Sequence, residues 1–241
     1  MKNIMLLSGL IFSVFFVSSC SPIASGVAVL AQDVTTTSND RRSPGELVDD
    51  KNIQQRLNSI IKDDLMFEDS HILFLVYDKS VAIFGEAPSG EVSSYLDKKI
   101  KSKIPTIKQA INEIRVAKNI SYLSRTKDGL ITAQIEALFL NQEVFHPNHV
   151  LLKTNNQTVY LMGAVTQREA EHATNVASKA KNVMEVIKLF NILAVRPAAE
   201  IERDNLKFEK EKKIAELEQQ KAQLELEQNK VLLQLDTLIY E

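Results

Sequence analysis

The chain has 241 residues, of which 44% are apolar, and its 29 Lys and Arg against 31 Asp and Glu give a formal net charge of −2. This length suggests one or two domains. The apolar content excludes a fully disordered chain, and the balanced charge excludes a general nucleic-acid binder. A single Cys excludes an intramolecular disulfide and a Cys-rich metal site.

The first twenty residues have the pattern of a bacterial lipoprotein signal. A positive charge at Lys2 precedes a mostly apolar run from Ile4 to Val17, which is shorter than the ~20 residues of a membrane-spanning helix. The run ends in Val17-Ser18-Ser19-Cys20, an order that matches a lipobox, in which the Cys thiol is acylated. An ordinary secretory signal and an inner-membrane anchor are the alternatives. We predict a signal peptide over residues 1–19 and lipidation of Cys20.

The segment after Cys20 has the composition of a spacer. Its hydrophobic periodicity ends at Leu30, which leaves too little apolar surface to offset the entropy of ordering. We predict an acylated N-terminus and flexible tether over residues 20–46. Because Ser21 rather than Asp follows the Cys, we expect an outer-membrane location, with the chain facing the periplasm.

Comparison of the chain with itself reveals a repeat with a period of 78 residues. Asp50 precedes Gly85 by 35 residues, and Asp128 precedes Gly163 by the same 35. Apolar residues match between these pairs, which predicts two copies of one domain of about 70 residues. The predicted boundaries are 47–116 for the first domain, 117–126 for a linker and 127–196 for the second domain.

Each copy predicts the element order αββαβ. In the first copy, Ile53, Leu57 and Ile60 recur at helical spacing, and a β-rich hairpin follows. A second helix and a third strand complete the copy. We expect Gly85 and Gly163 to end the second strand of each copy, where a missing side chain lets the backbone turn. The predicted fold class is therefore α+β, with a three-stranded mixed sheet and two helices on one face in each domain.

These motifs resemble the BON-domain outer-membrane lipoproteins that contain two BON domains. The resemblance covers roughly Cys20 to Arg196 and is carried by the lipobox and by three further motifs. These are Asp40-Arg41-Arg42-Ser43, Phe84-Gly85-Glu86-Ala87-Pro88-Ser89 and Tyr160-Leu161-Met162-Gly163-Ala164-Val165-Thr166-Gln167-Arg168-Glu169-Ala170.

The resemblance implies a non-enzymatic lipoprotein that supports envelope integrity and cell division. It also implies binding of anionic phospholipid through the first helix of the second BON domain. The sequence departs from the family in two places. The family's basic helix corresponds here to Leu130–Asn141, which contains Glu136 and no Lys or Arg, and the chain continues for 45 residues beyond the second domain.

The first helix of the second domain has an extra apolar stripe opposite its core side. At ~100° per residue, the stripe falls within an arc of about 80°. Its members are Leu130, Ala133, Ala137 and Leu140, whereas the equivalent positions of the first domain are the polar Asn52, Gln55, Ser59 and Lys62. An exposed apolar stripe of this kind indicates a surface that contacts something else. A membrane, the other domain and a protein partner are the alternatives.

If lipid covers the stripe, cations near it would attract an anionic headgroup. Arg125 and Lys127 immediately precede the stripe, and we predict that both contribute to lipid binding. A denser basic run ends the second helix of the first domain and contains Lys98, Lys99, Lys101, Lys103 and Lys108. That run is equally consistent with a solvated helix end whose cations complement the helix dipole.

No pattern in the chain indicates catalysis, a cofactor or a metal. Ser, Thr and Asp residues form no nucleophile elbow or hydrolase signature. His146 and His149 have a loose metal-like spacing, but no carboxylate or Cys accompanies them in the sequence. We predict a protein that is not an enzyme and that binds neither cofactor, metal nor nucleic acid.

The last segment, residues 197–241, predicts a C-terminal helical arm. After Pro197 it contains no further Gly or Pro, and it carries seven basic and eleven acidic residues. A heptad seam that Lys221 and Gln228 interrupt predicts a partial coiled coil. The seam residues are Ile214, Leu217, Leu224, Val231, Leu235 and Leu238. Self-association, a protein partner and an isolated surface helix are the alternatives.

The sequence therefore favours a phospholipid-binding outer-membrane lipoprotein. The alternative is a periplasmic scaffold or adaptor that recruits division or peptidoglycan-remodelling proteins through the C-terminal helix.

Overall fold

The computed structural model describes residues 39–239, apart from the side chains of 236–238. The predicted signal peptide, Cys20 and most of the tether lie outside these residues. The helices in the described part of the chain are α1 (Pro44–Lys62), α2 (Gly90–Lys103), α3 (Tyr122–Leu140), α4 (Gln167–Ser178) and α5 (Ala198–Ile239). The strands are β1 (His71–Tyr77), β2 (Ser80–Ala87), β3 (Gln109–Val116), β4 (Leu151–Asn155), β5 (Thr158–Val165) and β6 (Glu185–Ile192).

The repeat is visible as two sheets with the same topology. In the first sheet, β2 pairs antiparallel with β1 and parallel with β3. In the second sheet, β5 pairs antiparallel with β4 and parallel with β6. The predicted α+β class and the mixed three-stranded sheets are confirmed.

In each copy, two helices cover one face of the sheet. The alternate strand residues Phe74 and Val76 pack with Leu57 of α1 and Leu96 of α2 in the first core. The second core joins α3 and α4 to β4 and β5 in the same way. Side chains alternate across a strand, so the opposite face of each sheet is left for a different contact.

The opposite face of each sheet packs against the other sheet. Leu75, Tyr77 and Phe84 of the first sheet form one buried cluster with Tyr160 and Met162 of the second. The rings of Phe84 and Tyr160 are stacked, with centroids 3.8 Å apart. The two domains therefore join sheet to sheet, which places α1, α2, α3 and α4 on the outer faces.

An aspartate on the first helix of each copy holds the hairpin turn. The carboxylate of Asp50 accepts the backbone N–H groups of Asp78 and Lys79 at 2.7 and 2.8 Å. Asp128 accepts those of Asn156 and Gln157, both at 2.8 Å. All four turn residues have positive φ, as a two-residue hairpin turn requires.

Both first helices begin earlier than the sequence boundaries at 47 and 127. Ser43 caps α1 in a capping box with Glu46, so the helix begins at Pro44. Ser121 caps α3 by accepting the backbone N–H of Ser124, so this helix begins at Tyr122 and shortens the linker.

The structure corrects the role of the two glycines that occupy equivalent positions of the repeat. Gly85 and Gly163 lie within β2 and β5, two residues before each strand ends, and not at a turn. A Cβ atom there would lie 1.9 Å from the carbonyl oxygen of His71, or 2.1 Å from that of His149. Glycine is needed because the neighbouring backbone passes too close for a side chain.

Residues 39–43, which we predicted as part of the tether, contact both domains. Arg41 forms a bidentate ion pair with Glu169 at 2.7 and 2.9 Å. The adjacent Arg42 bonds Asp50 at 3.0 Å and lies over the ring of Tyr77. We call this segment the N-terminal staple.

Glu169, which is fully buried at the start of α4, also contacts the C-terminal arm. Burial alone would raise the pKa of its carboxyl group, but hydrogen bonds from His149, Arg41 and the backbone of Thr166 outweigh burial and lower the pKa to about 2. Arg203 of α5 lies 3.6 Å from the same carboxylate. The beginning of the arm is thus attached to the second domain.

Candidate functional site

Helix α3 has a buried side and an exposed apolar side. Ile131, Ile135 and Phe139 point into the second core and are almost fully buried. On the opposite side, Leu130 is 67% exposed and Leu140 is 72% exposed. Ala133 and Ala137 between them are exposed as well. We call these four residues the α3 stripe, and the structure places them together as the sequence predicted.

The packing of the two domains does not cover the α3 stripe. The domains join through their sheets, and no residue of the stripe belongs to the cluster that joins them. Within residues 39–239, Leu130 and Leu140 remain exposed. Burial of the stripe against the first domain, one of the alternatives, is therefore wrong.

Two further residues extend the stripe. Tyr122 is 85% exposed and Leu123 is 65% exposed, and both belong to the first turn of α3. Neither residue was predicted as part of the helix, because residues 117–126 were expected to form the linker. The N-cap residue Ser121 was the signal that would have found them.

The equivalent face of α1 is polar. Asn52, Gln55, Ser59 and Lys62 are all exposed, as are their counterparts on α3. The two helices thus have the same position and exposure but opposite polarity. The fold alone does not require an apolar face at this position.

Because α3 begins at Tyr122, two basic residues lie within the helix instead of before it. Arg125 and Lys127, expected to precede a helix without cations, lie within its first two turns. Arg125 is half-buried and donates a hydrogen bond to Asn119, whereas Lys127 is exposed. The helix therefore carries cations at its beginning and Glu136 near its end.

The lysine run of the first domain is partly neutralised. Lys99 forms an ion pair with Asp64, and Lys108 forms one with Asp78 at 2.7 Å. The hydrogen bond from Lys99 and further bonds lower the pKa of the Asp64 carboxyl group to about 2. These pairs favour the interpretation of the run as a solvated helix end.

Comparison with known proteins identifies the second half of the chain. Residues 127–194 match the BON domain family. The outer membrane lipoprotein DolP of Haemophilus influenzae is 26% identical over 194 residues, which cover 80% of this chain and 97% of that protein. The 21 kDa hemolysin of Actinobacillus pleuropneumoniae is 29% identical over 153 residues, or 63% of this chain and 78% of the relative.

The chain therefore contains a BON domain and is similar to DolP. Its BON domain comprises α3, β4, β5, α4 and β6, so the α3 stripe lies on the first helix of that domain. The additional C-terminal helix that the sequence predicted is present as α5.

Two solved structures of CdsD, a structural protein of the type III secretion system of Chlamydia trachomatis, also match. They are 13% and 12% identical to this chain, and both have a TM-score of 0.24. The first match covers 60% of this chain and 63% of the CdsD chain, which is less than two thirds of its length. A likeness of this size carries no functional argument.

One histidine of the BON domain, His149, lies beside a buried ion pair. His149 Nδ1 lies 3.4 Å from the carboxylate of Glu169, a neighbour that the sequence did not reveal. That carboxylate is already paired with Arg41. Among residues 39–239, no group of three His, Cys, Asp or Glu side chains has the arrangement of a metal site.

The predicted seam of the arm is exposed along α5. Ile214, Leu217 and Leu224 are 46%, 55% and 59% exposed, and Val231 and Leu235 are 54% and 51% exposed. The side chain of Leu238 lies outside the described part of the chain. Across residues 39–239, no helix is both long and apolar enough to cross a bilayer.

Proposed function

We propose that this chain is a non-enzymatic lipoprotein of the outer membrane that binds phospholipid through α3. The observation that carries the proposal is the exposed α3 stripe, together with its polar counterpart on α1. On entering a bilayer, the largely exposed side chains of Leu130 and Leu140 would lose contact with water, as would those of Ala133 and Ala137. Burying a Leu side chain fully contributes ~1.5–3 kcal/mol.

The remaining parts of the proposal come from the resemblance and from the sequence. We propose that Cys20 is acylated, and that the protein faces the periplasm and supports envelope integrity and cell division. We also propose that the first domain is a second BON domain, because its strand order and helix placement repeat those of residues 127–194. The preference of the family for anionic phospholipid would then depend on Arg125 and Lys127.

Vesicle binding tests the proposal. Residues 39–241 form one compact unit and can be tested without the acylated N-terminus. We expect this fragment to bind phospholipid vesicles in co-sedimentation, and we expect Leu130→Glu with Leu140→Glu to weaken binding by more than about tenfold. The same charge placed at the equivalent positions of α1, with Asn52→Glu and Lys62→Glu, is the matched control. Equal binding by the two double variants would contradict the proposal.

A second candidate function is that of a scaffold that acts through the arm. The observation that favours it is the exposed seam, since side chains such as Leu217 and Leu224 normally pack in a coiled coil. Sedimentation analysis of residues 39–241 measures self-association. We expect Leu217→Glu with Leu224→Glu to shift the protein toward the monomer. A wild-type fragment that is monomeric at all concentrations would leave only a different protein as partner.

A further inference from the structure

The C-terminal arm is attached to the BON domain at its beginning and is exposed over most of its length. Arg203 lies 3.6 Å from the carboxylate of Glu169. The Nζ atom of Lys207 lies 2.6 Å from the carboxylate of Glu143. Every side chain from 205 to 235 is exposed, over a helix length of ~46 Å at ~1.5 Å per residue. The arm therefore presents a long helical surface to a partner.

The apolar seam of the arm points in a different direction from these attachments. At ~100° per residue, Leu217, Leu224 and Val231 lie within an arc of about 40°. Arg203 and Lys207 lie about 60° and 100° around the helix from the centre of that arc. The attached domain thus lies to one side of the seam, which leaves space in front of the seam for a second helix.

The heptad positions of residues 214–239 favour two helices over a larger number. The a positions are Ile214, Lys221, Gln228 and Leu235, and the d positions are Leu217, Leu224, Val231 and Leu238. Polar residues at a positions restrict the register and the number of helices, at a cost in stability. The side chain of Lys221 is 78% exposed and lies 3.9 Å from Glu225 at the flanking e position. Lys221 can keep its charge in water at the edge of a two-helix seam, whereas a larger bundle would bury it.

The flanking charges distinguish a parallel from an antiparallel pair of arms. The e positions next to the seam include Glu211, Glu218 and Glu225. An antiparallel pair brings e positions together, so it would oppose these carboxylates. A parallel pair instead brings each g position to the e position five residues further along the other helix. Lys213 then meets Glu218 of the second copy, Gln220 meets its Glu225, and the remaining pairs oppose no like charges.

From this pattern, we propose that the seam binds α5 of a second copy of this chain, in a parallel and in-register two-stranded coiled coil over residues 214–239. This inference rests on the second candidate function, a scaffold that acts through the arm, and it names the partner. Because parallel arms begin at the same end, the two BON domains lie at that end, and both α3 stripes can reach the same surface.

Sedimentation equilibrium of residues 39–241 tests the number of chains and the charge pairing. We expect an equilibrium between monomer and dimer. Lys213→Glu places a carboxylate against Glu218 and should weaken the dimer by about threefold or more. Addition of Glu218→Lys reverses both charges and should restore association. Lys212→Glu, which makes the same charge change at an outward f position, is the matched control and should leave the dissociation constant unchanged.

Cysteine cross-linking tests the orientation, because residues 39–241 contain no Cys of their own. In a parallel pair, Leu235 faces Leu235 of the second copy, whereas in the antiparallel pair of greatest overlap it faces Leu217. Chains with Leu217→Cys and chains with Leu235→Cys, distinguishable by mass, are mixed and oxidised under reversible conditions. We expect disulfides between like chains. Gln219→Cys, at an outward f position, is the control and should cross-link much more slowly.

Three results would overturn the inference: a fragment that is monomeric at all concentrations, a trimer or larger assembly, or disulfides mainly between unlike chains. The vesicle test with Leu130 and Leu140 measures the α3 stripe independently of all three. A monomeric fragment would still allow a scaffold whose partner is a different protein. Failure of the dimer is therefore distinguishable from failure of either candidate function.

Discussion

Helices α1 and α3 occupy the same position in two copies of one domain, yet their outer faces differ. Each helix buries an apolar side against its own sheet, and each uses one aspartate, Asp50 or Asp128, to hold a hairpin turn. The outward positions are polar on α1 and apolar on α3. Groups required by the fold are therefore shared between the copies, whereas the outer face is free to diverge, and this divergence is the basis for proposing that the outer face of α3 binds a partner.

The largest effect should follow from the shared glycines. A Cβ atom at Gly85 or Gly163 would overlap a backbone carbonyl oxygen, that of His71 in β1 or that of His149 just before β4. We expect Gly163→Ala to reduce the free energy of unfolding by at least about 3 kcal/mol, as measured by chemical denaturation. Gly85→Ala should reduce the free energy of unfolding further, because Gly85 also has a φ of +128°, which a residue with a Cβ atom adopts only with strain. A loss below about 1 kcal/mol at either site would contradict the role assigned to the close backbone contact.

The second-largest effect on stability should come from Glu169 in the BON domain, and it should depend on pH. The Glu169 carboxyl group has a folded pKa of about 2 against an ordinary value of 4.5. It therefore stabilises the fold above about pH 4.5, and this contribution, ~3 kcal/mol at most, is lost as the pH falls toward 2. We expect Glu169→Gln to be less stable than wild type at pH 7 and to approach it at pH 2. Glu91→Gln, at the exposed equivalent position, is the control and should leave the profile unchanged.

Substitution of the two turn aspartates should reduce the free energy of unfolding by smaller amounts, which should differ between the two sites. Asp128→Ala leaves two backbone N–H groups without their acceptor, which costs ~1–3 kcal/mol. Asp50→Ala should reduce the free energy of unfolding more than Asp128→Ala, because it also removes one of the two carboxylates that pair with Arg42 in the N-terminal staple. Thermal unfolding of the two variants tests this order, and a larger loss for Asp128→Ala would reverse the assigned roles.

The smallest effect on stability is expected at the α3 stripe. Leu130→Gln and Leu140→Gln replace exposed side chains, so each should change the free energy of unfolding by no more than about 0.5 kcal/mol. The same substitution at Ile135 in the core is the positive control. If the stripe variants were strongly destabilised, the stripe would be part of the fold and not a surface kept for binding.

The domain architecture was predictable because the chain repeats itself. The 78-residue period aligned core positions such as Leu57 and Ile135, and the element order of each copy followed from their spacing. The stripe was predictable for the same reason, since the first copy acts as an internal reference for the second. The start of α3 was missed because residues 117–126 were assigned to the linker, although the 78-residue period places the cap at Ser121 opposite Ser43, the cap of α1.

Contacts between distant parts of the chain were not predictable. Arg41 and Glu169 are 128 positions apart, and no local pattern joins them.

The packing of one sheet on the other does have a signal in the sequence. The run Leu73–Tyr77 is apolar at every position, which indicates burial on both faces of a strand.

The N-terminal staple has a mechanical consequence. Arg41 and Arg42 are neighbours in the backbone, yet one is ion-paired to the BON domain and the other to the first domain. A pull on the chain ahead of Asp40 would therefore load both domains at once, in shear across two ion pairs, before any strand is stressed. A protein held by its N-terminus would transmit such tension to its sheet-to-sheet joint rather than to a single hairpin.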